Sequence, residues 1–166
     1  VRCDPSHPDS AEVSQDPHLS GGPAVYVVPD SRQGWCSALQ LILDTAEKDG
    51  GPVHIDVSHV RPRGSLIRGF GGTASGPGPL VKMLRDVCTV LAANTDTKMS
   101  ALDLMDIDHI ISECVIAGNV RRSARLSSYP WDGPEIFDFI RCKDDPTKHW
   151  STNVSVRITD EFIEAL

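Results

Sequence analysis

Aromatic residues make up only 5% of this 166-residue chain, and its three Trp stand far apart at Trp35, Trp131 and Trp150, which leaves no base-stacking platform. Long hydrophobic runs are missing: a stretch such as Leu39 to Leu43 is broken by Gln40, far short of the roughly 18 apolar residues a spanning helix needs. The opening VRCDPSHPDS has neither a basic n-region nor an apolar h-region, so it does not read as a secretory leader. Cysteine is sparse and unpaired in pattern. The five Cys (Cys3, Cys36, Cys88, Cys114, Cys142) form no CxxC and are odd in number, which argues for reduced thiols in a cytoplasmic protein. Basic excess is also lacking. With 16 Lys and Arg against 23 Asp and Glu, the net charge is -7, so neither a nucleic acid nor a membrane is the expected partner.

Against that acidic background two local segments carry only positive charge. Arg61, Arg63 and Arg68 fall in one, and Arg121, Arg122 and Arg125 in the other. The first lies in RPRGSLIRGFGGTASGPGP (61–79), with six Gly and three Pro, which is too long for an ordinary connection of about 4–6 residues. Small residues let backbone N–H groups turn toward an anion, and Arg supplies bidentate phosphate contacts. Neither GxxxxGK[ST] nor GxGxxG occurs there, so composition alone balances a phosphate site against a structural Gly/Pro loop. The second segment, Gly118 to Ala124, follows a helical pattern directly, and judged alone it reads better as a solvated helix C-terminus with favourable dipole contacts.

Residues 1 to 23 are rich in Pro, Ser, Asp and His and read as a loop or linker. Strand signals follow at Ala24 to Val28 and Val53 to Val57. Between them Trp35, Leu39, Ile42, Leu43 and Ala46 recur at helical spacing behind a cap at Asp30 or Ser31. Leu80, Met83, Leu84, Val87 and Leu91 predict a second helix. Ser100 and Asp103 resemble a capping box opening a third, whose buried stripe is expected at Leu102, Met105, Ile110, Ile111, Cys114 and Val115. Asp103, Asp106 and Asp108 are expected on its solvated face. A polar stretch runs to Pro130, then a short helix at Glu135 to Arg141, a strand at Asn153 to Ile158, and first helical turns at Asp160 to Leu166. Alternating strands and helices argue α/β organisation with both ends cut. Six scattered His, with His54 and His59 flanking Asp56, show no metal-ligand spacing, so no metal site is expected. Cys88 and Cys114 fall on or beside apolar stripes and read as small hydrophobes.

VPDSRQGW (28–35), DVSHVRPRGSLIRGFGGTASGPGPL (56–80), AGNVRRSA (117–124) and HWSTNVSV (149–156), in that order, resemble the monomeric adenosylcobalamin-dependent ribonucleoside-triphosphate reductases, the class II ribonucleotide reductases. The resemblance covers about residues 24 to 163. It implies that 24–166 is part of a ten-stranded α/β barrel with its effector-specificity region, internal to an enzyme that converts ribonucleotides to 2′-deoxyribonucleotides. That chemistry uses a cobalamin-initiated thiyl radical, with a ribonucleoside triphosphate as substrate and a thioredoxin-type dithiol as reductant. The radical Cys of an Asn-Pro-Cys-Gly context is absent here, as is the reducing Cys pair, and the cobalamin contacts lie outside the matched segment. No catalytic residue is therefore expected, and the fragment alone is expected to be inactive. By resemblance, a deoxynucleoside triphosphate effector would bind at Ser65, Arg68, Gly69, Gly71 and Gly72, with Arg68 on the phosphates. Gly118, Asn119, Val120, Arg121, Arg122 and Ser123 would relay its identity to the substrate. The alternative is a stand-alone nucleotide-binding regulatory module without chemistry.

Overall fold

A computed structural model describes residues 25–48, 51–69, 71–95, 98–117 and 123–166. The chain divides into two units, Val1–Thr95 and Asp96–Leu166, which are taken in turn.

In the first unit β1 (Val25–Val27) and β2 (His54–Asp56) pair in parallel, Tyr26 opposite Ile55. Parallel neighbours need a crossover, and α1 (Arg32–Glu47) supplies it. Its N-cap is Ser31, whose hydroxyl accepts from the Gly34 N–H at 3.0 Å, and Asp30 is left to pair elsewhere. Gly34 is required by contact, since a Cβ there would sit 2.3 Å from the Pro29 carbonyl oxygen. The fully buried line on α1 is Gly34, Ala38 and Ile42, spaced four apart; Trp35, Leu39, Leu43 and Ala46 flank it half-buried. Gly34 and Ala38 are small enough for the first turns to pack closely, and Ile42 fills the same line further along. α2 (Gly78–Ala93), with Pro79 in its first turn, buries Leu80, Met83, Leu84, Val87 and Cys88 and packs on α1.

In the second unit α3 (Ala101–Ile116) opens with the expected capping box: the Asp103 N–H donates to the Ser100 hydroxyl at 3.0 Å, and the Ser100 N–H donates to the Asp103 carboxylate at 2.9 Å. β3 (Arg125–Pro130) follows, then α4 (Ile136–Arg141), β4 (Thr152–Arg157) and the short α5 (Asp160–Glu164). β3 and β4 pair in parallel over six residues, from Arg125 opposite Thr152 to Pro130 opposite Arg157. Met105, Phe139 and Cys142 form the core, with Leu102, Tyr129 and Ile136 packed around it and the Tyr129 and Phe139 rings stacked at 5.4 Å. Burial raises the Cys142 thiol pKa above its usual range.

Two expectations for this unit need correction. The polar stretch before Pro130 contains β3, which Arg-Leu-Ser-Ser-Tyr-Pro does not announce because its less exposed face carries Arg125, Ser127 and Tyr129, with Tyr129 the one large apolar side chain among them; the strand is held by its ladder to β4. The buried side of α3 is Met105, Ile107, His109, Ser112 and Cys114, whereas Val115 is exposed and Leu102, Ile110 and Ile111 are half-buried. The helix is turned toward a polar contact that apolar periodicity does not register. The α/β class is observed, and among the described residues no helix is long and apolar enough to cross a membrane.

Candidate functional site

The Gly-rich segment folds into a tight hairpin. The Gly64 N–H donates to the Ala74 carbonyl at 2.9 Å and the Ala74 N–H to the Ser65 carbonyl at 2.8 Å. Leu66 bridges Thr73 in antiparallel sense, and the Ile67 N–H donates to the Gly72 carbonyl at 3.0 Å. The Gly71 N–H turns back to the Ile67 carbonyl at 3.0 Å, closing the tip. Gly64, Gly71, Gly72 and Gly76 all have positive φ, between 71° and 88°, which accounts for the glycine density: each turn of the chain needs a left-handed residue. At the base Arg61 pairs with Asp30 at 2.6 Å, tying the hairpin to the turn that starts α1.

This geometry changes the chemistry the segment offers. The N–H groups of Gly64, Ser65, Ile67, Gly71 and Ala74 are spent inside the hairpin, so they do not form an anion cradle. What the tip presents is a side chain: Arg68 is exposed there, without an ion pair among the described residues, beside exposed Gly69, Gly71 and Gly72. Ser65 is half-buried in the hairpin stem, six residues from Gly71 along the chain.

Of the second segment, Gly118, Asn119, Val120, Arg121 and Arg122 lie outside the described residues, and Ser123 is half-buried just before β3. Its two flanks are described. Arg125, the first residue of β3, forms an ion pair with Asp108 of α3, so the chain on either side of this segment is fastened together. Asp108 therefore is not the solvated carboxylate its pattern suggests. Asp106 is not either, since it faces His149 Nε2 at 3.2 Å and Lys148 Nζ at 3.9 Å, and Asp103 caps its own helix.

Sequence reasoning missed a polar contact in this second unit. His109, Ser112, His149 and Thr152 are buried, and the Ser112 and Ser151 hydroxyls meet at 2.9 Å. The signal available was the spacing Asp106, His109, Ser112 and Glu113, one polar stripe at helical period on α3; its partner, Lys148 to Ser151, has no periodicity of its own. His54 and His59 are exposed, and Asp56 caps the Ser58 N–H at 2.8 Å. Among the described residues no three His, Cys, Asp or Glu side chains gather as a metal site.

A family model described as the insertion domain of B12-dependent ribonucleotide reductase matches residues 8–91, beginning inside the stretch read as a linker. The chain is 41% identical, over 82% of its length, to the adenosylcobalamin-dependent ribonucleoside-triphosphate reductase of Lactobacillus helveticus, and covers 19% of that protein. It is 38% identical over 98% of its length to a Mycobacterium phage D29 protein provisionally named as the same kind of reductase, covering 26% of it. A crystal structure of a B-12 dependent (class II) ribonucleotide reductase superposes with a TM-score of 0.70 at 35% identity, over 84% of this chain and 20% of that one. The chain thus spans about a fifth to a quarter of the length of the relatives it matches. By the family model, the sequence identity and the shared fold together, it belongs to the B12-dependent, class II ribonucleotide reductases.

Proposed function

We propose that this chain is the effector-specificity segment of an adenosylcobalamin-dependent ribonucleoside-triphosphate reductase, an enzyme that makes 2′-deoxyribonucleotides by thiyl radical chemistry. In this reading 24–166 contributes to the ten-stranded barrel, a deoxynucleoside triphosphate binds at the hairpin tip, and Gly118 to Ser123 relay its identity to the ribonucleotide. The observation that carries it is Arg68: an exposed guanidinium, unpaired among the described residues, held at the end of a hairpin in which the N–H groups of Gly64, Ser65, Ile67, Gly71 and Ala74 already bond within the hairpin. A planar fork at the end of a hydrogen-bonded hairpin suits a phosphate chain, which it can grip at two oxygens.

The residues described here do not fit the cobalamin-driven step. Cys88, Cys114 and Cys142 are buried, and the Cys142 thiol is pushed toward its neutral form, whereas Cys36 is exposed on α1 with no cationic neighbour in its first turn but Arg32. A radical-forming or reducing thiol needs access to its partner, which buried Cys88, Cys114 and Cys142 lack; in this reading that chemistry, the dithiol reductant and the cofactor belong to other parts of the reductase.

The test is calorimetric titration of deoxynucleoside triphosphates into the intact reductase and its Arg68→Ala variant. Loss of a charge-assisted contact should weaken effector binding by about 1.5–3 kcal/mol. Unchanged affinity would leave the hairpin a structural element.

A further inference from the structure

The polar contact between α3 and residues 148–151 has features that the effector reading does not use. Asp106, His109, Ser112 and Glu113 lie on one face of α3, and four consecutive residues come down on it: Lys148 and His149 reach Asp106, the His149 ring lies 5.6 Å from that of His109, Trp150 meets His109 edge-on at 5.9 Å, and Ser151 meets Ser112. β4 begins at the next residue, Thr152, so this contact sets where the strand starts.

Both imidazoles are held in the same sense. His149 Nε2 faces the Asp106 carboxylate at 3.2 Å, and His109 Nε2 faces that of Glu113 at 3.8 Å. At His149 the nearby carboxylate favours a proton on Nε2, which leaves Nδ1 as an acceptor, and the Nδ1 atoms of both rings are buried with no hydrogen-bond partner among the described residues. His149 is also a non-glycine residue at φ 49°, in the left-handed region, and only 2% exposed. The contact is therefore closed at a cost, by a backbone under strain and two unsatisfied nitrogens.

A proton is a species that the bare Nδ1 of His149 can take. Protonating His149 would place a cation in a buried site with His109 and the two lysines Lys148 and Lys143 around it, against one half-exposed carboxylate, Asp106. We propose that His149 is a proton-sensitive latch, closed on α3 while its imidazole is neutral and released on acidification, which frees the 148–151 segment and the start of β4. Burial, the largest influence, depresses the His149 pKa below its usual 6.5; Asp106, the next largest, opposes it, and His109, Lys148 and Lys143 add smaller lowering contributions. The open form then binds more protons than the closed one between pH 6.5 and the depressed value, so opening grows as pH falls through that window. One proton gives at most about tenfold per pH unit. This inference stands apart from effector binding, because it uses neither Arg68 nor the relay segment.

Hydrogen exchange by mass spectrometry on the intact protein, from pH 7.5 to 5.5 and corrected for intrinsic exchange, tests it. Peptides covering 148–157 and the facing turns of α3 should show opening that is flat above about pH 6.5 and rises toward tenfold per unit below it, while α1 and α2 peptides stay flat. His149→Asn, which tolerates the left-handed backbone and does not titrate, should abolish the slope. His109→Gln should keep it. A flat wild-type profile, a wild-type slope in His149→Asn, or loss of the slope in His109→Gln would each overturn the latch.

Discussion

Gly76→Ala is the sharpest probe of the hairpin that presents Arg68. Gly76 is buried at the hairpin base with φ 76°, and a Cβ there would lie 2.9 Å from the Arg63 backbone nitrogen and 3.2 Å from its Cβ. Two costs therefore add. The left-handed conformation costs Ala about 1–2 kcal/mol. Displacing the Arg63 backbone, which cannot rotate away as a side-chain tip could, costs about 1–3 kcal/mol more. Gly71 at the tip isolates the first of these, because it has φ 71° but nothing within 4 Å of its would-be Cβ. Hydrogen exchange of the Gly64 and Ala74 amides, which bond across the stem at 2.9 and 2.8 Å, reads hairpin opening directly in the intact protein. Gly71→Ala should raise opening by about 5- to 30-fold and Gly76→Ala by about 30-fold or more, at 1.4 kcal/mol per tenfold. Equal effects from the two substitutions would refute the close approach of Arg63 to Gly76.

Two further outcomes test the second unit. Ser100→Ala removes the hydroxyl that accepts from the Asp103 N–H and should lower the stability of α3 by about 0.5–2 kcal/mol, seen as faster exchange in its first turn. Asp108→Asn leaves Arg125, whose side chain is 18% exposed, without its carboxylate; the cost should be about 1–3 kcal/mol, reduced because Asp108 is partly solvated, and exchange should rise at the start of β3 but not at α1.

The elements with an apolar period were legible in the sequence: α1, α2, α3, α4 and both short strands of the first unit lie within a few residues of their expected bounds, and the Ser31 and Ser100 caps are used. Which residue forms the centre of a contact was less legible. Gly34 and Ala38 take that place on α1 because they are small, and hydrophobicity scores them low. β3 escaped notice because its stability comes from the β4 ladder, a non-local partner some 27 residues away in register. Asp106 and Asp108 of α3 looked solvated for the same reason: Arg125, Lys148 and His149, which meet them, are distant in sequence. At the candidate site the sequence announced a long Gly-rich loop whose glycine content suggested a backbone cradle, and only the pairing pattern reveals a hairpin in which the N–H groups of Gly64, Ser65, Ile67, Gly71 and Ala74 are taken up internally.

The most direct test of the effector-specificity reading is a competition assay on the intact reductase, with all four ribonucleotides present and one deoxynucleoside triphosphate effector at a time, comparing wild type with Arg121→Lys. Lys keeps the charge but lacks the planar fork that matches a base edge or phosphate. Coupling between sites is typically about 1–3 kcal/mol, so loss of the relay should erase a roughly 5- to 150-fold effector-dependent preference while effector binding persists. Product ratios that no longer respond to the effector are the predicted result; wild-type ratios from Arg121→Lys would contradict the account.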